Sequence, residues 1–172
     1  MVTFERVERN RDATLRNLYE HYVHDMSEWL EIDTRDDGAF GIDTAPLWQG
    51  EYAVYLAKAD HSLAGFGVVG PAQRWVGRAD VRDMKDLFVM RRFRHRGIAS
   101  AFAMHLWNEF PGEWLIRVLT ANKPALPFWR RSVRDYTHGH FDERTRLDSG
   151  SDSVEREWLH LSFDTRLRDL PG

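Results

Sequence analysis

At 172 residues and 42% hydrophobic content, the chain can bury the core of one domain and is too short for two ordinary ones. It has no cysteine, which excludes disulfides and cysteine-based zinc or nucleophile sites, and its N-terminus lacks the apolar core of a signal peptide, so a cytoplasmic protein is expected. No uncharged apolar run reaches the roughly 20 residues of a spanning helix, and a formal net charge of −3 argues against nucleic acid, so neither membrane nor nucleic acid is expected as a partner.

Val2, Phe4 and Val7 alternate with polar residues and predict a short strand. Leu15, Leu18, Tyr19, Tyr22, Val23, Met26, Trp29 and Leu30 then recur at helical spacing, with His21, His24, Asp25 and Glu28 on the opposite face. Residues 31 to 50, with Asp36-Asp37-Gly38 and Pro46, read as a loop with a short irregular helix, the segment best placed to adapt to a substrate. Residues 52 to 58 and 63 to 70 are β-rich and separated by Ala59-Asp60-His61-Ser62, which suggests a hairpin. Residues 84 to 90 predict a third strand of that sheet, about 97 to 110 a helix closed by Pro111-Gly112, and 114 to 119 a strand parallel to 84 to 90.

Asn122-Lys-Pro-Ala-Leu-Pro-Phe-Trp-Arg130 opens another helix, whose regular part starts near Pro127 or whose first turn is distorted. Residues 137 to 147 and 154 to 163 predict a hairpin around 148 to 153, and the tail after Asp164 is expected to pack poorly.

The stretch from Asp86 to Ser100 carries the chemistry. An apolar strand runs into Arg94-His95-Arg96-Gly97-Ile98-Ala99 and then into a helix, whose unpaired N–H groups and positive dipole end suit an anion. Only three of the 24 basic residues are lysine, so arginine abundance says little, and only arginines in a positioned motif carry weight.

The order of elements, with Arg94-x-x-Gly97-x-Ala99 after the third strand of the central group and Asn122-x-Pro-Ala-x-x-Phe128-Trp129 later, resembles the GNAT superfamily of acyl-CoA N-acyltransferases over nearly the whole chain. Asn17-Leu-Tyr-Glu-His-Tyr-Val-His-Asp25-Met-Ser27 also looks like a subgroup of predicted acetyltransferases within it. The resemblance implies an α/β (α+β) domain over 1–172, its mixed, mostly antiparallel twisted sheet flanked by helices and splayed between two central parallel strands. It implies acetyl-CoA as donor, no metal, and a small-molecule or peptide amine as acceptor, in a monomer or homodimer. A non-catalytic acyl-CoA-binding or sensing domain is the alternative.

Residue by residue, the resemblance puts the pyrophosphate on the amides of His95, Arg96, Gly97, Ile98, Ala99 and Ser100. Gly97 and Ala99 stay small for close approach, and Arg94 and Arg96 add charge-assisted bonds. Phe88, Val89 and Met90 would offer main-chain groups to the pantetheine arm, an N–H near Val89 or Met90 would hold the oxyanion, and Asn122 would contact the arm, with Phe128 and Trp129 as cleft wall.

A proton acceptor is needed for the amine, and Asp83 and Asp86 lie on the relevant strand. Strand alternation admits one of them, and Asp86 is favoured because it precedes Leu-Phe-Val, although pairing with Lys85 or Arg117 would explain it equally well. Trp129 stands where many relatives carry a tyrosine that protonates the thiolate, leaving Tyr136 or solvent for that role. Tyr22 and Asp25 sit where acceptor contacts are expected, Tyr22 also belonging to the apolar stripe. The pairs His21 and His24, and His138 and His140, do not make a metal pattern.

Overall fold

Alternation of side chains builds seven strands: β1 Val2–Val7, β2 Ala53–Ala59, β3 Ser62–Pro71, β4 Arg82–Val89, β5 Glu113–Leu119, β6 Asp142–Ser149 and β7 Glu155–Asp164. In the computed structural model, which describes residues 1–149 and 154–167, they form one sheet in the order β1-β2-β3-β4-β5-β7-β6. The pairs β1–β2, β2–β3, β5–β7 and β6–β7 are antiparallel, and β4–β5 is parallel, as expected for a mixed sheet with a central parallel pair. The helices are α1 Asp12–Met26, the single turn α2 Gln73–Val76, α3 Ile98–Glu109 and α4 Ala125–Thr137. By its internal contacts the chain divides into two compact units, residues 1–69 with 86–102, and 70–85 with 103–172.

In the first unit, α1 buries Leu15, Leu18 and Tyr19 against Val54, Leu56, Phe66, Val68 and Phe88. The stripe outruns the helix: Trp29 and Leu30, expected on it, lie past Met26, where the Trp29 and Leu30 N–H groups both donate to the Met26 carbonyl. Side-chain periodicity persists there for one turn after the regular backbone has ended. The 59–62 hairpin closes through Asp60 and His61, both left-handed at φ 50° and 68°, between the paired Ala59 and Ser62. The Asp60 carboxylate takes the Met1 ammonium at 2.7 Å, fixing the start of β1 beside that turn.

Gly65 is required for another reason. A Cβ there would lie 2.0 Å from the Phe88 carbonyl oxygen and 2.9 Å from its carbon, both backbone atoms that no rotamer change can move.

In the second unit, Trp107 packs on Tyr136 and Phe163 with ring centroids 4.9 and 5.2 Å apart. Three boundaries differ from expectation. Helix α4 begins at Ala125, and Pro127 is its third residue, where an N–H has no partner within a helix, so the ring removes no bond. The segment expected as a strand from 137 starts at Asp142, because α4 runs to Thr137 and closes on His138 at φ 53°, with the Gly139 N–H on the Arg134 carbonyl. The tail is anchored at its start, since Thr165 is buried and its Oγ1 accepts the Gly112 N–H at 2.8 Å. Of the expected hairpin turn, residues 150–153 lie outside the described residues, as do 168–172 of the tail. No helix among the described residues is long and apolar enough to cross a membrane.

Gly65→Ala is expected to lower unfolding stability by about 3 kcal/mol, at the upper end for overpacking, because strand backbone must move to admit the methyl. Urea denaturation of the variant measures this, and an unchanged midpoint would contradict it.

Candidate functional site

Strand β4 ends in a tied loop. The Met90 N–H donates to the Ala64 carbonyl at 2.8 Å, residues 91–93 make one 3-10 turn around buried Phe93, and Arg94 folds back so that its Nε donates to the Val89 carbonyl at 2.7 Å. Asp25, in the last turn of α1, holds the outer end. Its Oδ1 accepts from Arg91 Nε and Nη2 at 3.1 and 2.7 Å, and its Oδ2 accepts from Arg94 Nη2. Burial works to raise the Asp25 pKa, but the bonds from Arg94 and then Arg91 outweigh it and hold the carboxyl below its usual range.

Both oxygens of Asp25, expected to meet the acceptor, are thus engaged with the loop. Arg94, expected on phosphate, is engaged with Asp25 and Val89. Arg96 is more available: half exposed, it reaches Asp60 Oδ2 only at 3.5 Å.

After Arg94 the chain passes through two left-handed residues, His95 at φ 60° and Gly97 at φ 74°, and enters α3. The Gly97 carbonyl accepts the Ala101 N–H, so the N–H groups of Ile98 and Ala99 precede the first bond of the helix. A Cβ built on Gly97 meets no protein atom within 4 Å. The glycine is therefore favoured by its left-handed backbone conformation, and not by packing within the protein.

Main-chain direction separates the oxyanion candidates. The Met90 N–H is committed to Ala64, and the Phe88 carbonyl points at Gly65, so both residues turn their polar groups toward β3. Alternation then turns the Val89 N–H to the other edge of β4. Tyr22 is part of an aromatic cluster, 5.8 Å from Phe66 and 5.9 Å from Phe88 between ring centroids, as its place in the stripe implied.

The two carboxylates of β4 have different partners. Asp86 Oδ2 accepts the Tyr19 hydroxyl at 2.6 Å. Asp83, 4% exposed, is bound by Arg117 Nη2 at 2.6 Å and Nε at 3.3 Å, and the guanidinium lies 3.9 Å from the centroid of Trp75. Arg117 is thus paired with Asp83. Burial first, and then the Asp86 charge, raise the Tyr19 pKa well above its ordinary value, so the phenol remains a donor.

A family model described as Acetyltransferase (GNAT) family matches residues 15–133. The chain belongs to that family. Solved structures with GNAT folds align over most of it: a GNAT-family acetyltransferase from Streptococcus pneumoniae (12% identity, 95% of this chain and 99% of that one, TM-score 0.61) and the ribosomal-protein-S18-alanine N-acetyltransferase from Escherichia coli (16%, 100% and 97%, TM-score 0.60). A Salmonella typhimurium structure described as an acetyltransferase with its cofactor acetyl-CoA aligns at 12% identity over 100% and 98%, with TM-score 0.62. At these identities the structures share the fold. No curated protein matches the sequence.

The remaining positions expected to be functional in this GNAT chain lie in its second unit. Asn122 works locally, its Oδ1 accepting the Ala125 N–H at 3.3 Å at the start of α4. Phe128 and Trp129 are half-buried with an edge contact at 5.0 Å. Tyr136, considered as proton donor to the thiolate, is 7% exposed and donates to Asn108 Oδ1 at 2.8 Å within the Trp107 and Phe163 core. Its ring packs in that core while its hydroxyl is engaged with Asn108.

The sequence did not point to three side chains that bond to the carboxylates it singled out. Tyr19 was legible only as part of the apolar stripe, Arg91 as one arginine among many, and Arg117 only as a conjectured partner of Asp86. No group of three or more metal-ligating side chains occurs among the described residues.

His160, 5% exposed, sets its Nε2 2.8 Å from Asp148 Oδ2. Burial is the largest influence and lowers its pKa; Asp148 opposes this, while Arg117 and Arg146 reinforce it. The unfolded chain then binds a proton at His160 more readily than the folded one. Stability is expected to fall as pH drops below about 6.5. Urea midpoints measured between about pH 7 and 5 should decline, and His160→Gln should flatten part of that decline; equal slopes in both proteins would contradict it.

Proposed function

We propose that the chain transfers the acetyl group of acetyl-CoA directly to the nitrogen of an amine. The observation that carries this reading is the Asp25–Arg94–Val89 clamp, which fixes the end of β4 and the entry of α3 as one rigid turn. Amides of residues 95–100 and the positive end of α3 would hold the pyrophosphate, with open space over Gly97 for its approach. Arg96, half exposed and 3.5 Å from Asp60 Oδ2, is the arginine that would add charge to that grip. Arg94 acts through the loop it braces.

The amine nitrogen attacks the thioester carbonyl carbon, the C–S bond breaks, and CoA leaves as thiolate. The Val89 N–H would stabilise the developing oxyanion, a contribution of about 3 kcal/mol in comparable holes. Asp86 would accept the proton that the ammonium loses, directly or through one water. With Tyr136 in the core and Trp129 lacking a hydroxyl, solvent would protonate the thiolate. That same lack of a proton donor favours the second reading, a domain that binds acyl-CoA without turnover.

Because the similar E. coli protein is an alanine N-acetyltransferase of a ribosomal protein, peptides with a free N-terminal alanine belong in the acceptor panel beside small amines. Saturating acetyl-CoA at about 100 times its Kd should add about 2.7 kcal/mol of stability and raise Tm. Thiol release with the panel should show turnover by the native chain and at least a roughly hundredfold lower kcat for Asp86→Asn. Stabilisation without turnover would select the binding-only reading, and no stabilisation by acetyl-CoA or CoA would contradict both.

A further inference from the structure

We propose that Tyr19 is a positioning residue for Asp86, holding its carboxylate in one orientation and setting the pH at which it can accept a proton. This rests on the reading of Asp86 as the proton acceptor. The apolar stripe of α1 calls for a hydrocarbon at position 19, since Leu15, Leu18 and Val23 are its buried neighbours on the helix. A phenol there must satisfy its hydroxyl, because an unpaired buried one is costly. Asp86 Oδ2 satisfies it at 2.6 Å, within the range of a charge-assisted O–H···O⁻ bond.

The ring cannot easily turn away. It lies against Phe66 with centroids 4.4 Å apart and against the edge of Tyr22 at 5.9 Å. Tyr22 on the same helix and Tyr52 ahead of β2 are the other titratable groups acting on Tyr19, and both add to the influences that keep it protonated. The hydroxyl therefore serves as a fixed donor to Asp86. A donor to the charged form favours carboxylate over carboxylic acid. Without it, Asp86 would take up a proton at higher pH and fail as a base sooner on acidification.

The test compares the pH dependence of kcat/KM for the amine in the native enzyme, in Tyr19→Phe, which keeps the ring, and with 3-fluorotyrosine at position 19, a stronger donor. The acid limb should move up by about one pH unit in the phenylalanine variant, as the loss of one hydrogen bond to a charged group implies, and down with fluorotyrosine. The acetyl-CoA-dependent rise in Tm should be preserved in both. Limbs coinciding with the native one overturn the proposal, even if kcat falls, because a purely structural role changes the amplitude alone. If the native chain turns over no amine, acetyl transfer itself fails. The carbon-13 titration of the Asp86 carboxyl, assigned through Asp86→Asn, then decides Tyr19: an unmoved midpoint in Tyr19→Phe overturns its hold on Asp86.

Discussion

A single carboxylate on α1 governs the geometry of the loop that joins β4 to α3. Asp25 binds Arg91 and Arg94, and Arg94 in turn binds the Val89 carbonyl, so one side chain fixes both the exit of β4 and the entry of α3. Backbone amides are effective anion ligands only when held in place beforehand. A loop carrying several arginines and two left-handed residues would otherwise sample many conformations, and ordering it on binding would cost affinity. Arg91 and Arg94 thus brace the loop between β4 and α3.

The strand that leads into this loop distributes its polar groups strictly. Phe88 and Met90 turn toward β3, where Gly65 admits the Phe88 carbonyl and Ala64 accepts the Met90 N–H. Val89 turns the other way. Its carbonyl is bound by Arg94, and its N–H lies on the edge of β4 away from β3. Asp83 and Asp86, three residues apart, are likewise separated by their partners: an arginine stacked on Trp75 neutralises the first, and a buried phenol orients the second.

Local signals in the chain were legible where the physics is local. Gly97 and the following small and apolar residues marked the start of α3, and β-rich runs separated by turn residues marked the strands. The central parallel pair followed from the strand, helix, strand order. Boundaries failed where side-chain pattern and backbone hydrogen bonding part company, as at Trp29 and Leu30 beyond α1. Pro127 misled because a proline is costly inside a helix and harmless in its first turn. The roles of Asp25, Tyr19 and Arg117 depend on partners 34 to 69 residues away in the chain, which periodicity cannot supply. The Tyr136–Asn108 bond likewise joins two helices and could not be read from the pattern of either one.

The central claim is that residues 95–100, braced by Asp25, grip the donor through their amides. Hydrogen–deuterium exchange with and without acetyl-CoA reads those amides directly. Slowed exchange in residues 95–100 and at Val89, weakened in Asp25→Asn, is the predicted result. Donor binding that leaves the exchange of those amides unchanged would contradict the account.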